Sequence, residues 1–179
     1  MCVFKEELGL ISDSTVRDFT NQVLNLLPDY FFTMAASTTG KYHPSYALGE
    51  GGLVRHTKAA VRIANDLLNL DMFKVFLSER DYIISALILH DGCKCGLNGS
   101  RYTVIDHPLI VSKLIKSKIN QVDIINKVCS LIDTHMGQWN TDYRTGKVVL
   151  PKPESKAQNF VHLCDYLASR KFLEFNFEV

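Results

Sequence analysis

Apolar residues recur at intervals of three and four along almost all of this sequence, the period of helices buried on one face. Asp13 or Ser14 can cap a helix carrying Val16, Phe19, Val23, Leu24 and Leu27, stopped near Pro28. The pattern predicts further helices over 29–37, 53–70, 82–90, 108–118, 122–136 and 154–172. Thr39 to Gly52, rich in Gly, Pro, Ser and Tyr, reads as a loop, as does the stretch marked by Gly92, Gly96, Asn98 and Gly99. Pro108 suits the first turn of its helix, and Gly137 suits the end of the helix before it. Val148-Val149-Leu150 can be extended, but one short run cannot make a sheet. The expected fold class is all-α, an orthogonal helical bundle.

A chain of 179 residues can bury most of its apolar surface in one core, so a single domain is expected. The net charge of +1 supplies no global field to gather nucleic acid or an anionic membrane. Strong non-specific nucleic-acid binding is therefore not expected, and any phosphate binding must be local. No apolar stretch is long enough to span a bilayer. The start Met1-Cys2-Val3-Phe4-Lys5-Glu6-Glu7 lacks the basic-then-apolar pattern of a signal peptide. Cys2, Cys93, Cys95, Cys129 and Cys164 are odd in number and irregularly spaced, so a reduced, cytoplasmic protein with free thiols is expected. Cys93-x-Cys95 is too tightly spaced for a usual zinc half-site, and a second pair is missing.

The chemistry concentrates in the histidines and two aspartates. His56 is near the start of the second long helix. His90 and Asp91 directly follow the run Ile83-Ile84-Ser85-Ala86-Leu87-Ile88-Leu89. His107 opens the Pro108 helix, His135 closes the next, and Asp165 lies within Leu163-Cys164-Asp165-Tyr166-Leu167. Burying a carboxylate or an imidazole is costly without a partner. A divalent metal is such a partner, because it takes imidazole nitrogen and carboxylate oxygen together. Taken singly, each residue has an ordinary alternative: a cap, a solvated group or a satisfied core histidine. The set of positions favours the metal.

In this order and context the residues resemble the HD-domain superfamily of metal-dependent phosphohydrolases. Gly51-Gly52-Leu53-Val54-Arg55-His56-Thr57 resembles the segment around the family's first histidine. Ala86-Leu87-Ile88-Leu89-His90-Asp91-Gly92-Cys93-Lys94 resembles its apolar helix ending in His-Asp, with a lysine three residues on. Leu163-Cys164-Asp165-Tyr166-Leu167-Ala168 resembles its final aspartate helix. The likeness spans roughly residues 50 to 172, with residues 1–50 as an N-terminal helical extension to a core over 51–172. Where many members place a bulky residue and then glycine after the Asp, this chain has Gly92-Cys93.

His107 and His135 match the two extra histidines of branches that hold two metals. The resemblance implies that His56, His90, Asp91 and Asp165 hold one ion and that His107 and His135 hold a second, with Asp91 bridging. The ions would be drawn from Mn, Fe, Co, Mg, Ni or Zn. It further implies phosphoester hydrolysis by a metal-bound hydroxide, Asp91 and Lys94 being the catalytic residues. Lys94 can neutralise a phosphate oxygen. His43, Arg101, Trp139, Arg144 and Lys147 are the remaining substrate-binding candidates, each of which has an ordinary loop role as its alternative. His162, one turn before Asp165, is expected to pack elsewhere rather than orient a ligand.

The segment from His135 through Trp139 and Leu150-Pro151-Lys152-Pro153 to the aspartate helix resembles the HD domain of bacterial 3'-to-5' exoribonucleases. Those enzymes carry an oligonucleotide-binding barrel that the helical residues 1–50 cannot supply. A nucleotide or short oligonucleotide is therefore the expected substrate. Two other readings share the motif: a di-iron HD-fold oxygenase and a non-catalytic nucleotide-binding module. Phe172, Leu173, Phe175 and Phe177 near the C-terminus have two expected settings, the core or a second subunit.

Overall fold

The computed structural model of the chain describes residues 3–37 and 39–173. These residues form eight α-helices: α1 (Lys5–Leu8), α2 (Ser14–Leu24), α3 (Tyr30–Thr33), α4 (Gly52–Leu68), α5 (Arg80–Leu89), α6 (His107–Lys118), α7 (Val122–Asp133) and α8 (Lys156–Ala168). Tighter 3-10 turns cover Ser45–Ala47, Asp71–Phe76 and Lys171–Leu173. Among the described residues β structure is limited to one antiparallel bridge, Thr141 to Val148, so the chain is all-α. No helix of the described residues is long and apolar enough to cross a membrane.

The organising element is α5. Ile83 to Leu89 are all buried, as a helix that is apolar all round must be. Helices α2, α4, α7 and α8 all pack on it. Its single polar interior residue, Ser85, pairs its hydroxyl with that of Thr20 on α2 at 2.7 Å, which leaves no orphan at that interface.

The helix ends follow local chemistry. Asp13 takes the backbone N–H groups of Thr15 and Val16 at 2.7 and 3.4 Å, settling which of the two candidates caps α2. A reciprocal capping box between Ser155 and Gln158 starts α8 at Lys156, two residues later than the pattern predicts. Three helices are shorter than expected. Helix α3 stops at Thr33, because Met34 turns extended. Helix α7 stops at Asp133, and α8 at Ala168. Helix α1 and the 71–76 turn were not evident in the periodicity, being too short to display one.

Residues before position 51 share the main core: Phe4, Ile11, Phe19 and Phe31 belong to the same apolar cluster as Leu87, Val128 and Val161. Phe172 and Leu173 are exposed rather than packed on that core, and Phe175 and Phe177 lie outside the described residues. Helix α1 is fastened by charge. Glu7 is 1% exposed, and its carboxylate lies 3.3 Å from the Lys58 ammonium on α4. Removing one member of such a pair leaves a buried charge, whereas removing both does not. Lys58→Ala is expected to destabilise the protein by about 3 kcal/mol in urea unfolding. Adding Glu7→Leu to that variant should recover most of the loss; a double variant no more stable than Lys58→Ala would contradict this account.

Candidate metal centre

Because α5 is enclosed, whatever follows it directly is enclosed too. His90 and Asp91 are 0% and 2% exposed. Four further elements reach the same point. His56 comes from the second turn of α4, His107 from the start of α6, His135 from the turn after α7, and Asp165 from α8. Gly92 permits the sharp exit from the core: a Cβ there would sit 2.6 Å from Leu27 Cδ2 and 3.0 Å from the Leu89 carbonyl oxygen.

Three of the histidines have their ring protons placed by the backbone. His90 Nδ1 lies 2.7 Å from the Leu87 carbonyl, His107 Nδ1 2.8 Å from that of Val104, and His135 Nδ1 2.8 Å from that of Ile132. A carbonyl only accepts, so each Nδ1 donates, and Nε2 is the nitrogen left with a lone pair whenever the ring is neutral. Each partner is the residue three positions earlier, so the tautomer is set within the local turn. This is the arrangement that orients an imidazole as a metal ligand.

Those Nε2 atoms converge on Asp91. Its Oδ1 lies 3.1 Å from His107 Nε2 and 3.8 Å from His135 Nε2. Its Oδ2 lies 3.5 Å from His90 Nε2 and 3.7 Å from His56 Nε2. Asp165 Oδ1 completes the second group, 2.9 Å from His56 Nε2 and 3.4 Å from His90 Nε2. Thus one carboxylate turns one oxygen to each of two histidine pairs. The candidate ligand atoms of His56, His90 and Asp91 lie within 4.8 Å of one another, as do those of Asp91, His107 and His135 and those of His90, His135 and Asp165.

The donor set fits divalent ions. His107 and His135 bring their Nε2 atoms to 3.3 Å, a contact that two lone pairs cannot make without a cation or a shared proton. His90 Nε2 is buried and has no hydrogen-bond partner. The six residues could hold metal ions.

In the protein alone, the imidazoles and Lys94 supply the positive charge that the two aspartates demand. Burial opposes ionisation of Asp91, but Lys94, His90 and His107 outweigh it and hold the carboxyl well below its ordinary range. Burial likewise opposes charge on Asp165, where His56 and His90 prevail. Both aspartates are therefore anionic. At His90 the two aspartates overcome burial and raise the imidazole above its usual value. At His135 burial, reinforced by His90 and His107, lowers it to about 3, so that ring is neutral and free to coordinate. Lys94 Nζ is bonded to Asp91 Oδ2 at 2.5 Å, a charge-assisted contact inside the cluster.

A cavity of about 460 Å³ opens above the cluster. Lys94, His43 and Trp139 line it, beside His56, Asp91, His135 and Asp165. Burial, then His56 and Lys94, lower His43 to about 4, so it is a neutral polar group near pH 7. Arg101 instead lines a smaller cavity of about 180 Å³, which His43 and Lys94 share. Arg144 is not brought to either. Asp142 caps its turn through the N–H groups of Arg144 and Thr145 at 2.7 and 3.0 Å, and the guanidinium bonds to the Tyr143 hydroxyl at 2.8 Å. Both Arg144 and Lys147 are exposed.

His162 departs from expectation. Its Nδ1 donates to the His135 carbonyl at 2.7 Å, so it supports the backbone of a candidate ligand. Gly137 makes room for it: its φ is +58°, and a Cβ at that position would overlap the His162 ring. The sequence reading also missed Tyr42, Tyr166 and Arg170, which line the larger cavity. Tyr42 and Arg170 are distant in sequence, and the Lys171 N–H, next to Arg170, donates to the Tyr42 carbonyl at 2.7 Å. Tyr166 had a signal, its place beside Asp165.

In comparisons with known proteins, no family model, no curated protein and no solved structure matches this chain.

Ions that bind the folded cluster and not the unfolded chain stabilise the fold by mass action, about 2.7 kcal/mol at a hundredfold excess over Kd. Titrating metal-stripped protein with Mn²⁺, Co²⁺ or Zn²⁺ should therefore raise Tm progressively. Asp91→Asn should abolish the rise. Equal Tm values for stripped and loaded wild-type protein would count against the site.

Proposed function

We propose that the chain is a metal-dependent phosphohydrolase with an HD-type orthogonal bundle, acting on a phosphoester of a nucleotide or short oligonucleotide. The observation that carries the reading is Asp91, one oxygen towards His56 and His90 and the other towards His107 and His135. That is the disposition a carboxylate needs to bridge two ions. Two divalent ions would supply Lewis acidity towards a phosphoryl oxygen and acidify a water.

The chain's own groups have identifiable parts. His56, His90, Asp91 and Asp165 would hold one ion, and His107 and His135 the other, with Asp91 shared. Lys94 is positively charged at working pH: burial opposes this, but Asp91 raises its pKa above the ordinary value. Its ammonium sits between Asp91 and the cavity, where it can neutralise a non-bridging phosphate oxygen. His43, uncharged, offers hydrogen bonding at the cavity wall without adding to the positive field. Arg101, which lines the smaller cavity that Lys94 shares, would meet a second anionic group of the substrate. The half-buried Asp165, with 17% of its side chain exposed, marks where the cluster meets the cavity. Free, buried Cys93, Cys95, Cys129 and Cys164 suit a cytoplasmic setting.

The test pairs metal analysis with a panel of nucleotides and short oligonucleotides, read as phosphate release or diester cleavage. Wild-type protein loaded with Mn²⁺, Co²⁺, Mg²⁺ or Fe²⁺ should turn over some member of the panel. Asp91→Ala should lose both ions and all activity. Silence across the panel with two ions demonstrably bound would defeat the reading. Oxygen consumption by the iron-loaded form would redirect it to an oxygenase.

A further inference from the structure

Besides the candidate ligands, the larger cavity is lined by a stack of flat groups. The Trp139 and Tyr166 rings lie 13° from parallel with centroids 5.6 Å apart. The Arg170 guanidinium lies over Tyr166, 4.5 Å from its centroid, and 5.6 Å from that of Tyr42. The stack is held in place. Arg170 Nε and Nη2 donate to the Ser169 hydroxyl at 3.1 and 2.9 Å, which fixes the guanidinium plane. Trp139 also packs on His162 at 5.6 Å, and His162 in turn grips the His135 carbonyl. One flank of the cavity is thus the candidate metal cluster with Lys94. The other is aromatic and cationic, with Trp139 still 43% exposed.

We infer that Arg170, acting with Trp139 and Tyr166, is a specificity-determining residue that selects substrates bearing a planar heteroaromatic base. The inference rests on the phosphohydrolase reading for the position of the phosphate, at the cluster end. A sugar phosphate alone would leave this wall in contact with water. A base fills it, gaining contact with the exposed part of the Trp139 ring and a hydrogen bond from the edge of the guanidinium that the tyrosines hold in place. Arg170 Nη1 donates to no acceptor among the described residues, so it remains available for the acceptor edge of a base. Lysine at this position would keep the charge and lose the plane.

The experiment uses full-length, metal-loaded protein and two probes that share phosphate and sugar, a nucleoside 5'-monophosphate and ribose 5-phosphate. Wild type should prefer the nucleotide at least about tenfold in kcat/KM, through KM. Arg170→Ala should cut that preference about tenfold, again through KM, and Arg170→Lys should not restore it. Trp139→Leu, at a half-exposed position, should lower the preference in the same direction and serves if Arg170→Ala folds poorly. Trp139 is the only tryptophan, so its fluorescence reports the wall directly. A free nucleoside should change it in wild type and do so more weakly in Arg170→Ala.

Equal treatment of the two probes by wild type, or a preference that Arg170→Ala leaves intact, overturns the inference while the hydrolase reading stands. If no phosphoester is cleaved but the nucleoside response is present and falls in Arg170→Ala, the inference stands and the hydrolase reading fails. Absence of both turnover and fluorescence response overturns the inference.

Discussion

The carboxylate of Asp91 sits at the end of a helix enclosed by four others, where water cannot solvate it. A buried anion of this kind has to be met by cations or by hydrogen-bond donors, or else protonate. The chain supplies Lys94 from its own loop, and brings four imidazoles to the two oxygens from elements spread over 80 residues, His56 to His135. Much of the architecture can be understood as the means of delivering them. Helices α4 and α8 pack on α5 and α6 packs on α7, and each carries its polar residue to the exit of α5.

The imidazoles are not merely nearby. In His90, His107 and His135 the proton is placed on Nδ1 by a carbonyl three residues earlier, so the lone pair that faces Asp91 belongs to Nε2. With the rings neutral, the cluster is a pocket of acceptors, and acceptors gathered in a low-dielectric interior favour a multivalent cation. The same logic places Lys94 at the edge, charged through its contact with Asp91 and open to the cavity, and leaves His43 neutral beside it.

His90, Asp91, His107 and His135 were legible because they sit where an apolar run meets a loop, and a polar residue has no reason to be buried there unless it has a task; His56 and Asp165 lie within helices and were legible through the resemblance of their contexts. Their helices were legible from the apolar period, to within a few residues. Other features depend on contacts that no local pattern encodes. Helix α1 is held by the Glu7–Lys58 ion pair across 51 positions, and Tyr42 meets Arg170 beside the backbone hydrogen bond from Lys171. Arg144 shows the reverse error. Its place in a loop after a ligand histidine suggested the substrate, but a side chain at Asp142 closes the turn locally and directs it to solvent. His162 was expected to pack away from the site. Its support of His135 passes through a main-chain carbonyl, which helical spacing from Asp165 does not reveal.

The central claim is that Asp91 joins two ions. The most direct measurement is electron paramagnetic resonance of metal-stripped protein titrated with Mn²⁺, with bound ions counted in parallel. The account predicts two ions per chain and the broadened spectrum of an exchange-coupled pair, collapsing when Asp91 is replaced by asparagine. Saturation at one ion with an isolated six-line spectrum, or no specific uptake, would contradict it.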